Sequence, residues 1–406
     1  MQSSSLQPLV PPKRRDRLQS SAPILAMFFT LGVSLADWFE QGIFDREKTV
    51  YEAHLKTGQF SRIYWLTYGG PEDRKLAARL QRDGRLHPAI EVLAVPTILN
   101  TKPGKLIHSL LAPLLYRRPL RACDYFKTNQ MMGAWTAQLA HQIWRKPLLL
   151  RTGFTLTRFN TTAASPLTRK LYGAIERIGY SAFSHATVSS QHDRDYVLQR
   201  YGLDGDRVSV IPTYIDTDAF APQAVPKQER KLVYVGRFVP QKNLAAAIEA
   251  VAETSFELDL YGSGELEGEL RERAQRCGAR VNFCGRIPNA KLPDVLNRYR
   301  FFILSSHFEG MPKALLEAMS CGLVCLGTSV CGIIEVLVDG VNGISIADTR
   351  VEAIRDCLQA IECSYDTDTL DRISRQARQT ITDRFSLQAY IKHEYSLFKQ
   401  NVISQS

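Results

Sequence analysis

No run of apolar residues in the 406-residue chain approaches the ~18 to 20 that a membrane-spanning helix requires, so a transmembrane protein is not expected. Glycine and proline are modest at 25 and 19 residues, while 45% of the chain is hydrophobic. That balance excludes collagen-like, low-complexity and mostly disordered classes, because the apolar surface is sufficient to offset ordering entropy. The eight cysteines contain no CxxC pair. Cys321, Cys325 and Cys331 sit among small or apolar neighbours and read as buried thiols rather than zinc ligands. An export signal is also missing. Lys13, Arg14, Arg15 and Arg17 precede an apolar run of only eight residues, Ile24 to Leu31, with Asp37 and Trp38 next in place of a small-residue cleavage site. We expect a disordered basic tail over 1–22, then a buried strand, in a cytoplasmic protein without a disulfide framework.

What is present is an uneven charge. The whole chain carries 51 Lys+Arg and 41 Asp+Glu; residues 1–222 hold 29 and 18, or +11, and residues 223–406 hold 22 and 23, or −1. The first half is therefore expected to meet something anionic. No stacking-aromatic or zinc-finger pattern accompanies its basic residues, so nucleic acid is not expected as a partner. Residues 102–121 (KPGKLIHSLLAPLLYRRPLR) combine Leu106, Ile107, Leu110, Leu111, Leu114 and Leu115 with Lys105, Arg117, Arg118 and Arg121. This segment reads either as an interfacial amphipathic stretch on anionic headgroups, giving peripheral contact with a membrane, or as a core helix with a basic tip.

β-rich apolar runs alternate with helical periods along almost the whole length, the pattern of parallel sheets with crossover helices. Strands are expected at 24–31, 62–67, 90–95, 125–128, 147–151, 185–188 and 208–212, then at 232–235, 257–260, 281–283, 301–304 and 324–326. Two Pro and little apolar content mark 219–230 (AFAPQAVPKQER) as a linker. The expected fold is α/β: two doubly wound, Rossmann-like domains over 23–218 and 231–383 facing across a cleft, with ligands at the carboxyl ends of the strands. A last helix within 384–406 is expected to pack back on the N-terminal domain.

Four stretches carry the chemistry, each at the end of an expected strand. In Val235-Gly236-Arg237-Phe238-Val239-Pro240-Gln241-Lys242-Asn243, two cations can converge on one anion. Leu260-Tyr261-Gly262-Ser263-Gly264-Glu265 is a glycine-rich turn that lets backbone approach a ligand closely. Phe283-Cys284-Gly285-Arg286-Ile287-Pro288 is a third strand-to-turn passage. In the fourth, running from Ser305 to Met319, Glu309 falls in the loop, Gly310 and Pro312 shape the turn, and the helix N-terminus leaves N–H groups that suit a phosphate. Glu317 lies on an otherwise apolar helix, where a carboxylate is costly unless paired, which points to hydroxyl binding.

Together these residues resemble the retaining glycosyltransferases of family 4, with the GT-B fold. The matching features are Glu309 and Glu317 in an E-x7-E arrangement, Gly236 and Arg237 with Lys242 and Asn243, Tyr261 to Gly264, Gly332 to Glu335, and Asp339 to Gly343. Fainter first-half matches, Phe28 to Leu35 with Arg46-Glu47 and Thr128 to Trp135, look like the members that build cell-surface polysaccharides. The resemblance implies a glycosyltransferase moving a sugar, with retention, from a nucleotide-diphosphate sugar to a lipid-linked or polysaccharide acceptor. It would use no other cofactor and no metal, and would be cytoplasmic or peripheral at the inner face of the plasma membrane.

The implied roles place Arg237 and Lys242 on the donor diphosphate, helped by the helix N-terminus around Gly310, Met311, Pro312, Ala314 and Leu315. Glu317 would meet the ribose hydroxyls, and Arg286 and Ile287 the base through backbone groups. Gly236, Gly262 and Gly264 would let the chain approach the donor, Glu309 would contact the transferred sugar, and the loop at Gly32 would close over the donor from the first domain. Many family members carry a His where this chain has Leu150-Arg151-Thr152-Gly153-Phe154, so Gln130 or Arg151 is expected to replace it. Likewise Thr213 and Tyr214 replace the usual Asn and Gly before Ile215-Asp216. The Asp-x-Asp triplets at Asp193, Asp204, Asp216 and Asp366 read as loop or helix-cap carboxylates. Other readings are a nucleotide-sugar epimerase or a glycogen- or sucrose-type synthase on the same fold, or a two-domain sugar-binding protein without catalysis.

Overall fold

The computed structural model describes residues 22–153, 155–159 and 166–403, so the basic tail expected over 1–22 lies, but for Ala22, outside the described residues. Two parallel sheets form. The first contains β1 (Ile24–Phe28), β2 (Arg62–Leu66), β3 (Ile90–Leu93), β4 (Tyr125–Thr128), β5 (Leu148–Thr152), β6 (His185–Val188) and β7 (Val208–Val210), in the order β3-β2-β1-β4-β5-β6-β7. The second contains β8 (Gln228–Arg237), β9 (Glu257–Ser263), β10 (Val281–Gly285), β11 (Tyr299–Leu304), β12 (Val324–Thr328) and β13 (Ile344–Ile346), in the order β10-β9-β8-β11-β12-β13. In each sheet the winding reverses beside its first strand, between β1 and β4 and between β8 and β11. Such switch points are where open α/β sheets gather ligands.

Helices cover both faces, so central strands are apolar throughout rather than alternating. Phe28, Leu66, Phe126 and Leu148 anchor one core, and Leu232, Tyr234, Phe302, Leu304 and Leu326 the other. The chain divides into two compact units, one holding the described residues up to Thr187 with those from Tyr395 onward, the other running Val188–Glu394. In the first unit, Tyr395 and Phe398 of the helix Leu387–Ile403 set their rings 5.6 and 5.5 Å from that of Phe60.

The departures from expectation have local causes. β8 starts at Gln228, inside the expected linker, because pairing with β11 continues out to Gln228 opposite Tyr299. β1 stops at Phe28, since Leu31 donates its N–H to the Met132 carbonyl (3.1 Å) and Gly32 turns with φ +81°. β13 escapes sequence reading because three residues carry no period. Cys321 and Cys325 are buried while Cys331 is half-buried, and burial pushes the Cys321 thiol up to about 12.

One buried carboxylate secures the loop after β1. Asp73, in the helix Pro71–Arg82, accepts the Leu35 and Ala36 N–H groups at 2.9 and 3.1 Å, occupying donors that open the short helix Leu35–Glu40. Asp73→Ala is expected to lower stability by about 2 kcal/mol, read from the denaturant midpoint, because it leaves these donors without their charged acceptor. A change within the scatter of surface substitutions, about 0.5 kcal/mol, would show that water replaces the carboxylate without penalty.

Candidate functional site

The residues singled out in the second half assemble at the carboxyl edge of the second sheet, on the loops after β8, β9, β10 and β11. Lys242 ends a short turn after β8, and its Nζ lies 2.5 Å from Oε1 of Glu309 in the loop after β11. The same oxygen accepts a hydrogen bond from the Ser306 hydroxyl at 2.5 Å, and Glu309 is only 6% exposed. Sequence reasoning placed Lys242 on the diphosphate and Glu309 on the sugar; here they form one ion pair. The parallel adjacency of β8 and β11 brings them together although 67 residues separate them.

Hydrogen bonds, most of them from side chains to backbone carbonyls, hold the two loops in register. Asn243 adopts a left-handed conformation (φ 51°) and donates from Nδ2 to the Ser305 and Thr349 carbonyls at 3.2 and 2.8 Å. The Ser305 hydroxyl donates back to the Lys242 carbonyl at 3.0 Å. His307 donates its N–H to the Gln241 carbonyl at 2.9 Å, and the Gln241 amide donates to the Phe308 carbonyl at 2.7 Å. Beneath them, buried Tyr234 donates to the Arg237 carbonyl at 3.0 Å; burial pushes its phenol well above the ordinary value, and the nearby Glu309 charge adds to the shift. The expected site gives no role to Ser306 or Gln241, and Asn243 enters it only as a matching motif position. The only sequence signal for Ser306 was its place three residues before Glu309.

The Arg237 and Arg286 side chains are exposed, Ile287 is half-buried, and no contact brings either arginine to Glu309. In the helix Lys313–Ser320 the first i→i−4 bond runs from Leu316 to the Pro312 carbonyl, so the N–H groups of Lys313, Ala314 and Leu315 precede it. Leu315 and Pro312 are buried and Met311 is half-buried, so these positions offer backbone rather than side chains. Glu317 is 5% exposed and sits 3.6 Å from the Lys313 ammonium one turn earlier, which explains how the helix tolerates it.

Glycine is required where loops touch. Gly262 has φ +147°, and a Cβ there would lie 1.8 Å from the Gly236 carbonyl oxygen; at Gly332 a Cβ would meet the Gly310 and Glu309 carbonyl oxygens at 2.3 and 2.6 Å. Beside this crossing, a Cβ at Gly264 would lie 2.2 Å from the Phe238 carbonyl oxygen.

In the first unit, Gln130 and Arg151 come together at the ends of β4 and β5. Gln130 accepts the Gly153 N–H at 2.9 Å, and the Arg151 guanidinium donates to the Asn129 carbonyl at 3.4 Å. Gly32 is exposed in the turn after β1. Of the Asp-x-Asp residues, Asp204, Asp216 and Asp366 accept nearby backbone N–H groups, and Asp193 accepts the Ser190 hydroxyl. Among the described residues no three His, Cys, Asp or Glu cluster as metal ligands.

Two doubly wound parallel sheets in series are the architecture of the GT-B class of glycosyltransferase folds. The solved structure of Anabaena HepE in complex with UDP and glucose has this fold, with TM-score 0.66 at 17% identity over 93% of this chain and 99% of that one. Sucrose-phosphate synthase from Thermosynechococcus elongatus shares it, with TM-score 0.71 at 19% identity over 95% and 100%. In sequence, residues 62–219 match Glycosyltransferase Family 4 and residues 216–380 match Glycosyl transferases group 1. The chain belongs to glycosyltransferase family 4. A curated relative, the Escherichia coli UDP-Gal:alpha-D-GlcNAc-diphosphoundecaprenol alpha-1,3-galactosyltransferase, is 26% identical over 236 residues, 52% of this chain, and the chain spans 59% of that relative's length.

Gly262→Ala is expected to destabilise the protein by about 1 to 3 kcal/mol, since the added methyl cannot share space with the Gly236 carbonyl. Denaturant unfolding checks it, and an unchanged midpoint would mean that the β8 and β9 loops can part freely.

Proposed function

We propose that the protein transfers a sugar from a nucleotide-diphosphate donor to a lipid-linked or polysaccharide acceptor, with retention at the anomeric carbon. The observation that carries this reading is the ion pair of half-buried Lys242 with buried Glu309 and Ser306 at the carboxyl edge of the second sheet. Breaking the bond from anomeric carbon to diphosphate needs stabilisation of the leaving charge and of an oxocarbenium-like sugar. Lys242 and Arg237, with the first N–H groups of the helix Lys313–Ser320, are the groups suited to the first task. When a diphosphate arrives, Lys242 exchanges a carboxylate partner for a phosphate one, and Glu309, held by Ser306, is released toward the sugar. Glu317 takes the ribose hydroxyls and the backbone at Arg286 and Ile287 takes the base. Gln130 and Arg151 serve the acceptor or the transferred sugar, and the turn at Gly32 is a donor-binding position.

The family membership supports the reaction class, and the HepE complex with UDP and the diphosphoundecaprenol named in the galactosyltransferase favour a nucleotide donor and a lipid-linked acceptor. With cations and a helix N-terminus available for the leaving group, no divalent ion or further cofactor is assigned a role. An acceptor carried on lipid would keep the enzyme peripheral at the inner face of the plasma membrane.

Calorimetric titration with UDP and GDP is expected to show binding of one of them, weakened about 10- to 100-fold in Lys242→Ala through loss of a charge-assisted phosphate contact. No binding of either nucleotide would sink the transferase reading. Glu309→Gln is expected to bind nucleotide as well as wild type or better, because Lys242 is freed, while turnover falls about 100-fold or more. The anomeric proton coupling of the product should show retention, and turnover should persist in EDTA. Undiminished turnover in Glu309→Gln, an inverted product, or loss of activity in EDTA would each overturn the corresponding assignment.

A further inference from the structure

The helix Lys102–Leu115 is inside out. The residues it buries are Gly104, His108, Ser109, Ala112 and Pro113, whereas Leu106, Ile107, Leu110, Leu111, Leu114 and Leu115 are all exposed, Leu110 and Leu114 by 54% and 56%. A core helix with a basic tip, one of the two readings open from sequence, would show the opposite. The small buried side packs Ala112 into the first core, and specific bonds add to that packing. Trp135 Nε1 donates to the Ser109 hydroxyl at 3.0 Å, and Trp144 Nε1 to the Pro113 carbonyl at 3.1 Å. His108 lies 3.3 Å from the Tyr116 hydroxyl, and its imidazole, pushed down to about 4 by burial, remains neutral near pH 7. The helix cannot roll its leucines inward without breaking these contacts.

We propose that this outward face is a docking surface for an anionic lipid bilayer. Its charge selects that occupant. Lys102 and Lys105 stand at one end of the apolar stripe and Arg117, Arg118 and Arg121 just beyond the other, with no Asp or Glu anywhere in residues 102–121. Leucines entering the acyl boundary with cations at headgroup level on both sides is the arrangement of an interfacial helix, which sinks its apolar face ~5–10 Å into that boundary. A second copy of the chain would bring cations against cations across a twofold axis, and a nucleic acid would offer phosphates but nothing to cover the leucines. The winding β3 to β4 to β5 to β6 lays the helices Lys102–Leu115, Ala134–Trp144 and Pro166–Gly179 on the same sheet face. The third of these adds exposed Leu171 and Ile178 beside Lys170 and Arg177.

This inference rests on the proposed lipid-linked acceptor only for its biological purpose; the surface is argued from its own residues. Flotation of the full-length protein with vesicles of phosphatidylglycerol and phosphatidylcholine is expected to show binding, with much less to phosphatidylcholine alone. Binding should weaken as salt shortens the Debye length from about 10 Å at 0.1 M to about 3 Å at 1 M. The exposed double variant Leu110→Glu/Leu114→Glu should lose at least tenfold in vesicle affinity with an unchanged melting temperature, and Arg117→Ala/Arg118→Ala should lose the preference for anionic vesicles. Failure of the wild type to float, or flotation indifferent to the leucine variant, would overturn the proposal. So would a wild-type dimer that the leucine variant splits, read by light scattering, because the face would then belong to a second copy. UDP and GDP titrations on the same proteins separate the two readings: absent nucleotide binding ends the transferase reading while leaving the flotation result to stand.

Discussion

The ammonium of Lys242 held 2.5 Å from a nearly buried carboxylate is the contact on which the candidate site depends. Removing Lys242 would leave the nearly buried Glu309 carboxylate with the Ser306 hydroxyl but without its cation. The pair also dictates its surroundings. β8 and β11 must be neighbours, Ser306 must aim its hydroxyl at Glu309, and Gly332 must lack a side chain so that its backbone can lie against the Glu309 and Gly310 carbonyls. In the proposed reading, an incoming phosphate takes the place of the carboxylate at Lys242 and leaves Glu309 available.

Charge placement gains meaning in the same light. The second half of the chain is nearly neutral, and in the proposed reading Lys242, Arg237 and backbone N–H groups are the local set that meets one diphosphate. The excess of positive charge lies in the first half, where five cations flank the outward leucines of Lys102–Leu115. The proposed function and the proposed docking surface would thus meet two kinds of anion differently, one through cations on loops and the other through cations spread around an apolar stripe.

Much of the fold was legible because parallel strands buried on both faces leave unbroken apolar runs, and twelve of the strands fall where such runs occur. What escaped was short or polar: β13, the polar start of β8, and the true end of β1 at a glycine turn. In the candidate site the residue types were legible, since glycines, cations and carboxylates at strand ends have few structural uses. Their coupling was not. Arg237 and Lys242 look alike as cations in sequence, yet Lys242 is tied to Glu309 while Arg237 stands exposed. Ser306, between an apolar strand and Glu309, had no periodicity to mark it.

By itself the sequence determined the alternation of strands and helices and the division of charge, because these follow from composition and local spacing; the family resemblance of its motifs implied the groups for a nucleotide sugar. Tertiary structure alone decided which of those groups touch and which way the helix Lys102–Leu115 faces. Its amphipathic period is the same whether the leucines point in or out. Two tryptophan N–H bonds to its small-residue side, from a helix some thirty residues later, settle the direction, and contacts between distant segments of chain are set by packing rather than by spacing.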